Sequence, residues 1–310
     1  MLPCFVRCLV LPDRTGGPES FYAFFRQQTK QAFEEDLVLV EVLRIRALLP
    51  RLGTCKLLYK MKTFLEQHQF RLGRDALFTL LNAHRLLIRR RVSRKPKTTQ
   101  SQHWYRKYPN LIVDLAIIQP NQVWVGDIMY VVVGDGFVYL FLLTDAYSRK
   151  VIGYSLEASL HAQGAVNALR MAVGQRGAGV ETIHHSDRGI QYCCWEYMAV
   201  LNKAKIRPSM TQTSDPRDNA IAERVNGILK SELLTQRYAS LEEARQALPR
   251  LISLYNVERP HLSLNMLTPS QAHEQQGVLR RRWKSYPFKG RDPGKVPTDS
   301  VGKSTEKAGP

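Results

Sequence analysis

Apolar residues recur every three or four positions in the segment DNAIAERVNGILK, residues 218–230. Ala222, Val225 and Leu229 form an apolar stripe, and this spacing predicts an amphipathic helix. The opposite face is polar and carries Asn219, Glu223, Gly227 and Lys230. A helix with a good core face and such a polar face is a candidate for function as well as for packing.

A different pattern precedes this helix. β-Branched and aromatic residues dominate NQVWVGDIMYVVV and FVYLFLLTDAYSRKVIGYSLEAS, and Gly134-Asp135-Gly136 stands between them as a turn. The pattern predicts three antiparallel strands at about 122–133, 137–144 and 150–157. Further elements follow as a helix at about 161–174, a strand at about 181–187, a helix at about 194–204, a strand at about 206–210, the polar-faced helix and a helix at about 241–256. The order βββαβαβαα predicts an α/β fold with a mixed five-stranded sheet flanked by helices.

The N-terminal part has a helical pattern. We expect residues 1–35 to be irregular and then helical, and DLVLVEVLRIRA to form a helix. Short helical segments follow, separated by turns at Pro50–Gly53 and Leu72–Gly73, which favours a helix-turn-helix-like DNA-binding domain over residues 36–90. Its second helix, near Arg74–Asn82, is the candidate for reading the major groove, with Arg71, Arg74 and Lys56 facing phosphates. The alternative is a small helical bundle with a solvated basic face.

Residues 91–118 are basic and polar, are interrupted by Pro96, and are interpreted as a linker. Arg89, Arg90 and Arg91, at its start, are candidate phosphate contacts. Residues 119–273 form the predicted catalytic core. Residues 274–310 are expected to be a basic, disordered tail.

Charge narrows the class of partner. Lys and Arg number 45 against 27 Asp and Glu, a net charge of +18, which points to DNA, RNA or an acidic membrane face rather than to a neutral partner. The alternative is a merely basic soluble protein. The five cysteines are odd in number and lack zinc-finger spacing, so we expect reduced thiols in a cytosolic protein. The apolar start of the chain is interrupted by Arg7 and is far too short for a membrane span, and a signal peptide is not expected because no basic n-region precedes it.

Three acids fall at informative places. Asp127 lies inside an apolar strand, where a carboxylate is costly unless it is paired or binds metal. Asp187 ends a short strand and Glu223 lies on the polar helix face, so the three can converge at one rim of the sheet. Carboxylates that converge in this way suit Mg²⁺ or Mn²⁺, and two ions about 4 Å apart activate phosphodiester chemistry. Taken singly, each has another interpretation: a salt-bridged core acid, a helix cap and a solvated residue.

Other polar residues are weaker candidates. Asp145 competes as the second acid, but its place at a hairpin turn favours a structural role. Asp215 and Asp218 are typical of a turn and a helix start. A role in orienting ligands or holding phosphate remains open for His185, Asn219, Arg259 and His261.

The ordered motifs resemble a known family. NQVWVGDIMYV, TDAYSRKVIGYSL, HHSDRGIQY, DNAIAERVNGILKSEL and YNVERPHLSLNMLTPSQA are similar, in this order, to the integrase core of bacterial insertion-sequence transposases of the second-reading-frame type. Asp187 and Glu223 have 35 residues between them, which resembles the D,D-35-E pattern of that superfamily. The likeness covers about 120–273, and a weaker one covers about 36–118.

The resemblance implies an RNase H-like fold and a DNA transposase. It implies that Asp127 bridges two metal ions, that Asp187 and Glu223 each hold one, and that Lys230, two turns after Glu223, contacts DNA. It also implies binding to the element's terminal repeats and to target DNA as a homo-oligomer, at the nucleoid in the bacterial cytoplasm, with an upstream-frame protein as a further partner. Gly227 is expected to let DNA approach closely.

The sequence departs from the family pattern at three places that leave the acids intact. Gly126, Ile190 and Arg224 stand where many relatives have Thr, Ser or Ala, and Ser, respectively. Three rival functions remain open. They are an RNase H-type nuclease that cuts without joining, an inactive DNA-binding relic or regulator of transposition, and an RNA-binding or chromatin-like basic protein.

Overall fold

The computed structural model describes residues 18–88, 104–113, 115–177, 180–212 and 219–279. Several predictions lie outside this part of the chain. They concern residues 1–17, Cys4, Cys8, Arg89, Arg90, Arg91, Asp215, Asp218 and the tail from residue 280.

The N-terminal part is helical. Its helices are α1 (Pro18–Leu48), α2 (Thr54–Lys60), α3 (Lys62–Gln67) and α4 (Arg74–Ala83). Gly53 and Gly73 precede α2 and α4 in extended conformation, where the turns were expected. The expected helical end of the N-terminal segment and the helix predicted from residue 36 are one continuous helix, α1. The second helical segment is divided at Met61, which is fully buried.

We call the predicted catalytic core, residues 119–273, the catalytic part. It contains one mixed sheet. Its strands are β1 (Val123–Val133), β2 (Gly136–Asp145), β3 (Val151–Glu157), β4 (Ile183–Ser186) and β5 (Arg207–Met210). The spatial order is β3-β2-β1-β4-β5. β1, β2 and β3 pair antiparallel, whereas β4 runs parallel to both β1 and β5. This arrangement confirms the predicted mixed five-stranded sheet and its RNase H-like fold.

Helices cover both faces of the sheet. Those of the catalytic part are α5 (Ala162–Gln175), α6 (Ile190–Cys193), α7 (Trp195–Lys203), α8 (Ala220–Ile228), α9 (Leu241–Ser253) and α10 (Pro269–His273). On one face, α5 and α7 pack over Trp124, Phe141 and Ile152, forming an apolar layer that we call the α5–α7 cluster. The other face contributes to a second cluster with α8 and α9.

The polar-faced helix is α8, and its apolar stripe packs as predicted. Ala222, Val225 and Leu229 are buried, while Glu223 and Lys230 are exposed. After Ile228 the backbone widens into a π-helical turn over Leu229–Leu233, a feature that the sequence pattern did not indicate. Single π turns of this kind are common beside functional sites.

The N-terminal helices join the apolar cluster of the second sheet face. Val42 of α1, Leu57 of α2 and Leu81 of α4 belong to the same buried cluster as Leu140 of β2 and Tyr255. Two ion pairs accompany this contact. Lys56 Nζ lies 3.5 Å from Glu232 Oε1, and Lys60 Nζ lies 2.7 Å from Glu258 Oε2. The helical part is therefore docked on the catalytic part.

The predicted linker is partly a packed segment. Leu111, Ile112, Leu115 and Ile117 pack against a small cluster around Val123, because this stretch is apolar. Across the described residues, no helix is both long enough and apolar enough to cross a membrane. Within the same ranges the cysteines are free thiols, with Cys55 exposed and Cys193 and Cys194 buried.

Candidate active site

The first two acids follow a pair of neighbouring parallel strand positions, with Asp127 within β1 and Asp187 just after the end of β4. Val125 of β1 pairs with His185 of β4, and Asp127 and Asp187 each follow that pair by two residues. Residues two apart along a strand point to the same face, so both carboxylates come to the same end of the sheet. The parallel pairing thus brings together two acids that are 60 positions apart in sequence.

The third acid reaches this end of the sheet through α8. Asn219 Nδ2 donates to the Gly126 carbonyl at 3.0 Å, and Asn226 Nδ2 donates to Asp127 Oδ2 at 2.7 Å. Glu223 lies between the two asparagines, four residues after one and three before the other. Such positions share one helix face, so Glu223 is turned toward β1.

The pKa of Asp127 responds to the charges of Asp187 and Glu223, so the three acids are neighbours. Burial, followed by the negative charge of Asp187 and, more weakly, of Glu223, raises the pKa of Asp127 to about 7. Hydrogen bonds from the Ile128 amide, at 2.8 Å, and from Asn226 oppose this rise. Burial and like charge both disfavour ionisation, so the cost of a charged Asp127 is only partly offset.

Asp187 lies at the start of a tight turn, close to the buried side chain of Tyr192. Its Oδ1 accepts a hydrogen bond from the Gly189 amide at 3.0 Å. The Tyr192 hydroxyl is buried and has no hydrogen-bond partner among the described residues. Burial together with Asp127 and Asp187 holds the pKa of Tyr192 well above its ordinary value, so this hydroxyl lies near both acids. An unpaired buried hydroxyl here is a group that the sequence analysis missed.

The structure explains one departure from the family pattern, the glycine at position 126. A Cβ at this position would lie 3.0 Å from His184 Nε2 and 3.2 Å from Tyr192 Cε1. His184 is buried, pairs with the Tyr197 hydroxyl at 2.9 Å, and has its pKa lowered to about 3 by burial. Because Gly126 has no side chain, the His184 and Tyr192 rings can occupy this space.

The donor set suits a hard divalent cation. Oxygen ligands from carboxylates are what Mg²⁺ and Mn²⁺ prefer, and a cation would relieve the repulsion that raises the pKa of Asp127. Within the described ranges, no three His, Cys, Asp or Glu side chains are grouped closely enough to hold a metal as they stand. A metal would therefore draw Asp127, Asp187 and Glu223 closer together.

The predicted DNA contacts lie in different settings. Lys230, Arg71 and Arg74 are exposed, and Arg74 Nε pairs with Asp75 Oδ1 at 2.9 Å. Asn219 is buried and bonded to β1, a position that suits fixing α8. A DNA contact by any of these four stays a prediction.

Lys56 differs from the expectation that it faces phosphate. It is largely buried beside Glu232, and burial followed by the charge of Arg259 lowers its pKa to about 8. The Lys56 ammonium therefore lies inside the contact between the helical and catalytic parts.

The weaker candidates are structural. Asp145 is fully buried and accepts from the Ser148 amide at 2.7 Å and from the Asn121 amide at 2.7 Å, which confirms its turn role. His185 Nδ1 bonds Ser209 Oγ at 2.9 Å and links β4 to β5. Arg259 is 1% exposed and binds both carboxylate oxygens of Glu232, at 2.6 and 2.8 Å, which favours a structural role over phosphate binding. The same holds for His261, which is buried against Tyr255.

Comparison with known proteins identifies the family to which the sequence is similar. Two models of the integrase core domain match residues 118–216 and 204–269. The chain is 33% identical over 221 residues to the uncharacterized 31 kDa protein of insertion element IS600 from Shigella sonnei, covering 69% of this chain and 80% of that protein. It is 34% identical over 170 residues to the putative transposase of IS986/IS6110 from Mycobacterium tuberculosis, covering 53% and 61%. It is 38% identical over 154 residues to transposase InsF of IS3A from Escherichia coli, covering 49% and 54%.

The solved structures that match part of this chain include viral integrases. The magnesium complex of the HTLV-2 integrase catalytic core is 19% identical, covers 50% of this chain and 97% of that one, and has a TM-score of 0.40. The simian T-cell lymphotropic virus intasome is 17% identical, covers 79% and 78%, and has a TM-score of 0.44.

An RNase H-like sheet with three acids at one end of β1 and β4 defines the class of integrase-type polynucleotidyl transferases. Within that class, the chain belongs to the family of bacterial insertion-sequence transposases with an integrase catalytic core. It spans four fifths of the IS600 protein and between half and two thirds of the other two relatives named above.

Proposed function

We propose that this chain cuts one DNA strand at each end of its own insertion sequence and joins the released 3′ ends to target DNA. One observation carries the proposal. The two asparagines that bracket Glu223 bond to Gly126 and Asp127, so the helix that carries the third acid faces the strand that carries the first. Asp187 follows the parallel pair that sets its position beside Asp127.

Asp127, Asp187 and Glu223 are the residues that would hold two Mg²⁺ or Mn²⁺ ions. When bound, such ions lower the pKa of an attacking water and neutralise charge on the phosphodiester oxygens. With a pKa of about 7, the Asp127 carboxyl is partly protonated at neutral pH, and a bound cation would favour its ionised form. Asn226 would keep the Asp127 carboxylate oriented during loading.

Two in-line displacements follow from this assignment. In the first, water attacks the scissile phosphorus, the P–O3′ bond breaks, and the 3′ oxygen leaves as a hydroxyl. In the second, that hydroxyl attacks a target phosphodiester, and the target's own 3′ oxygen leaves with the proton. Bond count is conserved in each step, so neither ATP nor a covalent enzyme intermediate is required.

Duplex DNA is the proposed partner, as terminal repeat and as target. Exposed Lys230 beside Glu223, Arg71 and Arg74 on the helical part, and the run Arg89, Arg90 and Arg91 supply positive charge for phosphates. Asn219 stays a candidate contact through its place beside Gly126. We further propose a homo-oligomer on DNA in the nucleoid of the bacterial cytoplasm, with an upstream-frame protein as a second partner.

A strand-transfer assay tests the proposal. Labelled duplexes that carry the element's own ends are incubated with the purified chain in Mg²⁺ or Mn²⁺, beside Glu223→Gln, which removes the charge with little change in shape. Glu242→Gln, at an exposed acid of α9, is the matched control. We expect the natural chain and Glu242→Gln to give nicked and joined products. These products should disappear when EDTA is added and should be absent with Glu223→Gln.

The other outcomes separate the rival functions. Nicked but unjoined products would establish a nuclease. Binding without products in either metal, with and without the upstream-frame protein, would establish a regulator or relic.

A further inference from the structure

A stacked aromatic pair lies exposed ahead of the catalytic sheet. In the segment WYRKY, residues 104–108, the Trp104 and Tyr105 rings have centroids 4.2 Å apart and planes inclined by 24°. Trp104 is 85% exposed, so one face of a large aromatic ring is left in water. Neither the acid site nor the helical part accounts for this arrangement.

Side-chain packing and hydrogen bonds attach the Trp104–Tyr105 pair to the sheet. Tyr105 is half-buried and packs against the α5–α7 cluster, to which Tyr192 and Tyr197 also belong. The chain that follows is fixed along β5, because Met210 N donates to the Pro109 carbonyl at 3.4 Å and Leu111 N donates to Ser209 Oγ at 2.9 Å. The platform is thus attached to the sheet by side-chain packing and by two hydrogen bonds.

The anchoring places the segment on the Asp187 side of the acid site. Met210 Sδ, which follows Ser209 in β5, lies 3.7 Å from Cys193 Sγ. Burial and the charge of Asp187 raise the pKa of that thiol to about 11, whereas Lys107 acts in the opposite direction. The strand to which the segment is bonded therefore lies beside α6, the helix that follows Asp187, and the charges of Asp187 and Lys107 both act on Cys193 in that helix.

Charge and aromatic faces alternate along the segment. Trp104, Arg106 and Lys107 are exposed, whereas Tyr105 and Tyr108 are half-buried. The Arg106 guanidinium lies over the Tyr108 ring, 5.2 Å from its centroid. Aromatic faces beside cations are typical of surfaces that bind single-stranded nucleic acid, since bases stack on the rings while the cations meet the phosphates.

We propose that Trp104 is a stacking platform for an unpaired base of the DNA strand beside the cut, with Arg106 and Lys107 on the flanking phosphates. The proposal rests on the proposed function for the identity of the ligand and for its place near the cut. It adds a base-binding site to a surface predicted as linker. A stacked base would hold the strand end open while the phosphodiester lies at the acids.

Binding measured in EDTA tests the platform without chemistry. The probes are three duplexes of one sequence: blunt, with a short 3′ overhang that contains 2-aminopurine, and with an abasic overhang. We expect the full chain to prefer the base-bearing overhang and to quench 2-aminopurine on binding. Trp104→Ala should reduce that preference roughly five-fold to a hundred-fold and remove the quenching, whereas Trp104→Phe should keep most of both.

Matched variants separate stacking from charge. Trp195→Ala removes another exposed indole, 71% exposed, and should change nothing. Arg106→Gln should weaken binding to all three duplexes alike, with a smaller salt dependence. The platform is overturned if Trp104→Ala keeps the preference, or if it lowers affinity equally for all three probes. Strand transfer does not enter these readouts, so loss of the preference and loss of the chemistry are told apart.

Discussion

Asn226 on α8 donates a 2.7 Å hydrogen bond to the Asp127 carboxylate on β1. This bond joins the helix of the third acid to the strand of the first, and it partly counters the burial that raises the pKa of Asp127. Asn226 is three residues after Glu223, so a spacing argument applied to Asn226 as well as to Asn219 would have found it.

Asn226→Ala tests this positioning role. The Asp127 carboxylate loses its side-chain donor, so we expect strand cleavage to fall by about ten- to a hundred-fold, with a higher metal concentration needed for half-maximal rate. Titrations of rate against Mn²⁺ measure both quantities. Asn202→Ala, at an exposed site on α7, is the control. An unchanged metal requirement would contradict the role.

Asp127→Asn should make the metal-free protein more stable in a pH-dependent way. The folded pKa of about 7 exceeds the ordinary 3.8, so the folded state holds the proton more tightly, and the stability contribution of Asp127 falls as pH rises from about 4 to about 7. The variant should match the natural chain near pH 4 and exceed it above pH 7 by roughly 1–3 kcal/mol. Urea unfolding in EDTA at several pH values measures the difference. A gain that does not vary with pH would contradict this origin.

Added metal should make the natural chain more stable than Asp127→Asn. Because cations bind the folded acids, Mn²⁺ should raise the melting temperature of the natural chain and leave Asp127→Asn almost unchanged. Differential scanning fluorimetry with and without Mn²⁺ reports this shift. A similar rise in both proteins would mean that the cation binds elsewhere.

Two glycines near the site should respond oppositely to a side chain. At Gly126 a Cβ meets His184 and Tyr192, so Gly126→Thr should cost about 1–3 kcal/mol of unfolding free energy. At Gly227, within α8, nothing lies within 4 Å of a Cβ, so Gly227→Ala should add about 0.5–1 kcal/mol. If DNA approaches closely at Gly227, this more stable variant should bind DNA ends less tightly. Unaltered affinity would remove the expected close approach.

The ion network behind α8 should be sensitive to which member is changed. Glu232→Gln leaves buried Arg259 without its anion and should cost about 3 kcal/mol. Glu66→Gln, in an exposed pair with Lys62, should cost under about 0.5 kcal/mol. Chemical denaturation of the two variants gives the comparison. Equal losses would show that burial of Arg259 does not set the cost.

Lys56→Met probes the same network from the helical side. Burial and Arg259 lower the pKa of Lys56 from 10.5 to about 8, so its charge costs stability that is fully felt below pH 8. Removing the ammonium while keeping the alkyl chain should therefore be neutral or slightly stabilising at pH 7. A large loss of stability would instead show that Lys56 is required for docking.

Sequence patterns predicted the sheet well, because strands such as β1 carry long β-branched runs and their acids stand out against them. The positions of Asp127 and Glu223 followed from the same contrast between polar and apolar residues. Contacts between distant segments were less accessible. The inward turn of Lys56 depends on Glu232, which is 176 positions later, and nothing in the local sequence of Lys56 indicates a buried partner. The π turn after Ile228 likewise has no local signature.

The apolar cluster that α1, α2 and α4 share with β2 bears on how transposases of this kind diversify. A DNA-reading module that is merely tethered can be exchanged between elements without effect on the catalytic part. Here exchange would strip apolar cover from the sheet and remove Lys56 and Lys60, which pair with Glu232 and Glu258. If α4 reads the element's ends, as predicted, new end specificity would arise by substitution at its exposed positions, while the buried side of each N-terminal helix would change only together with the catalytic part.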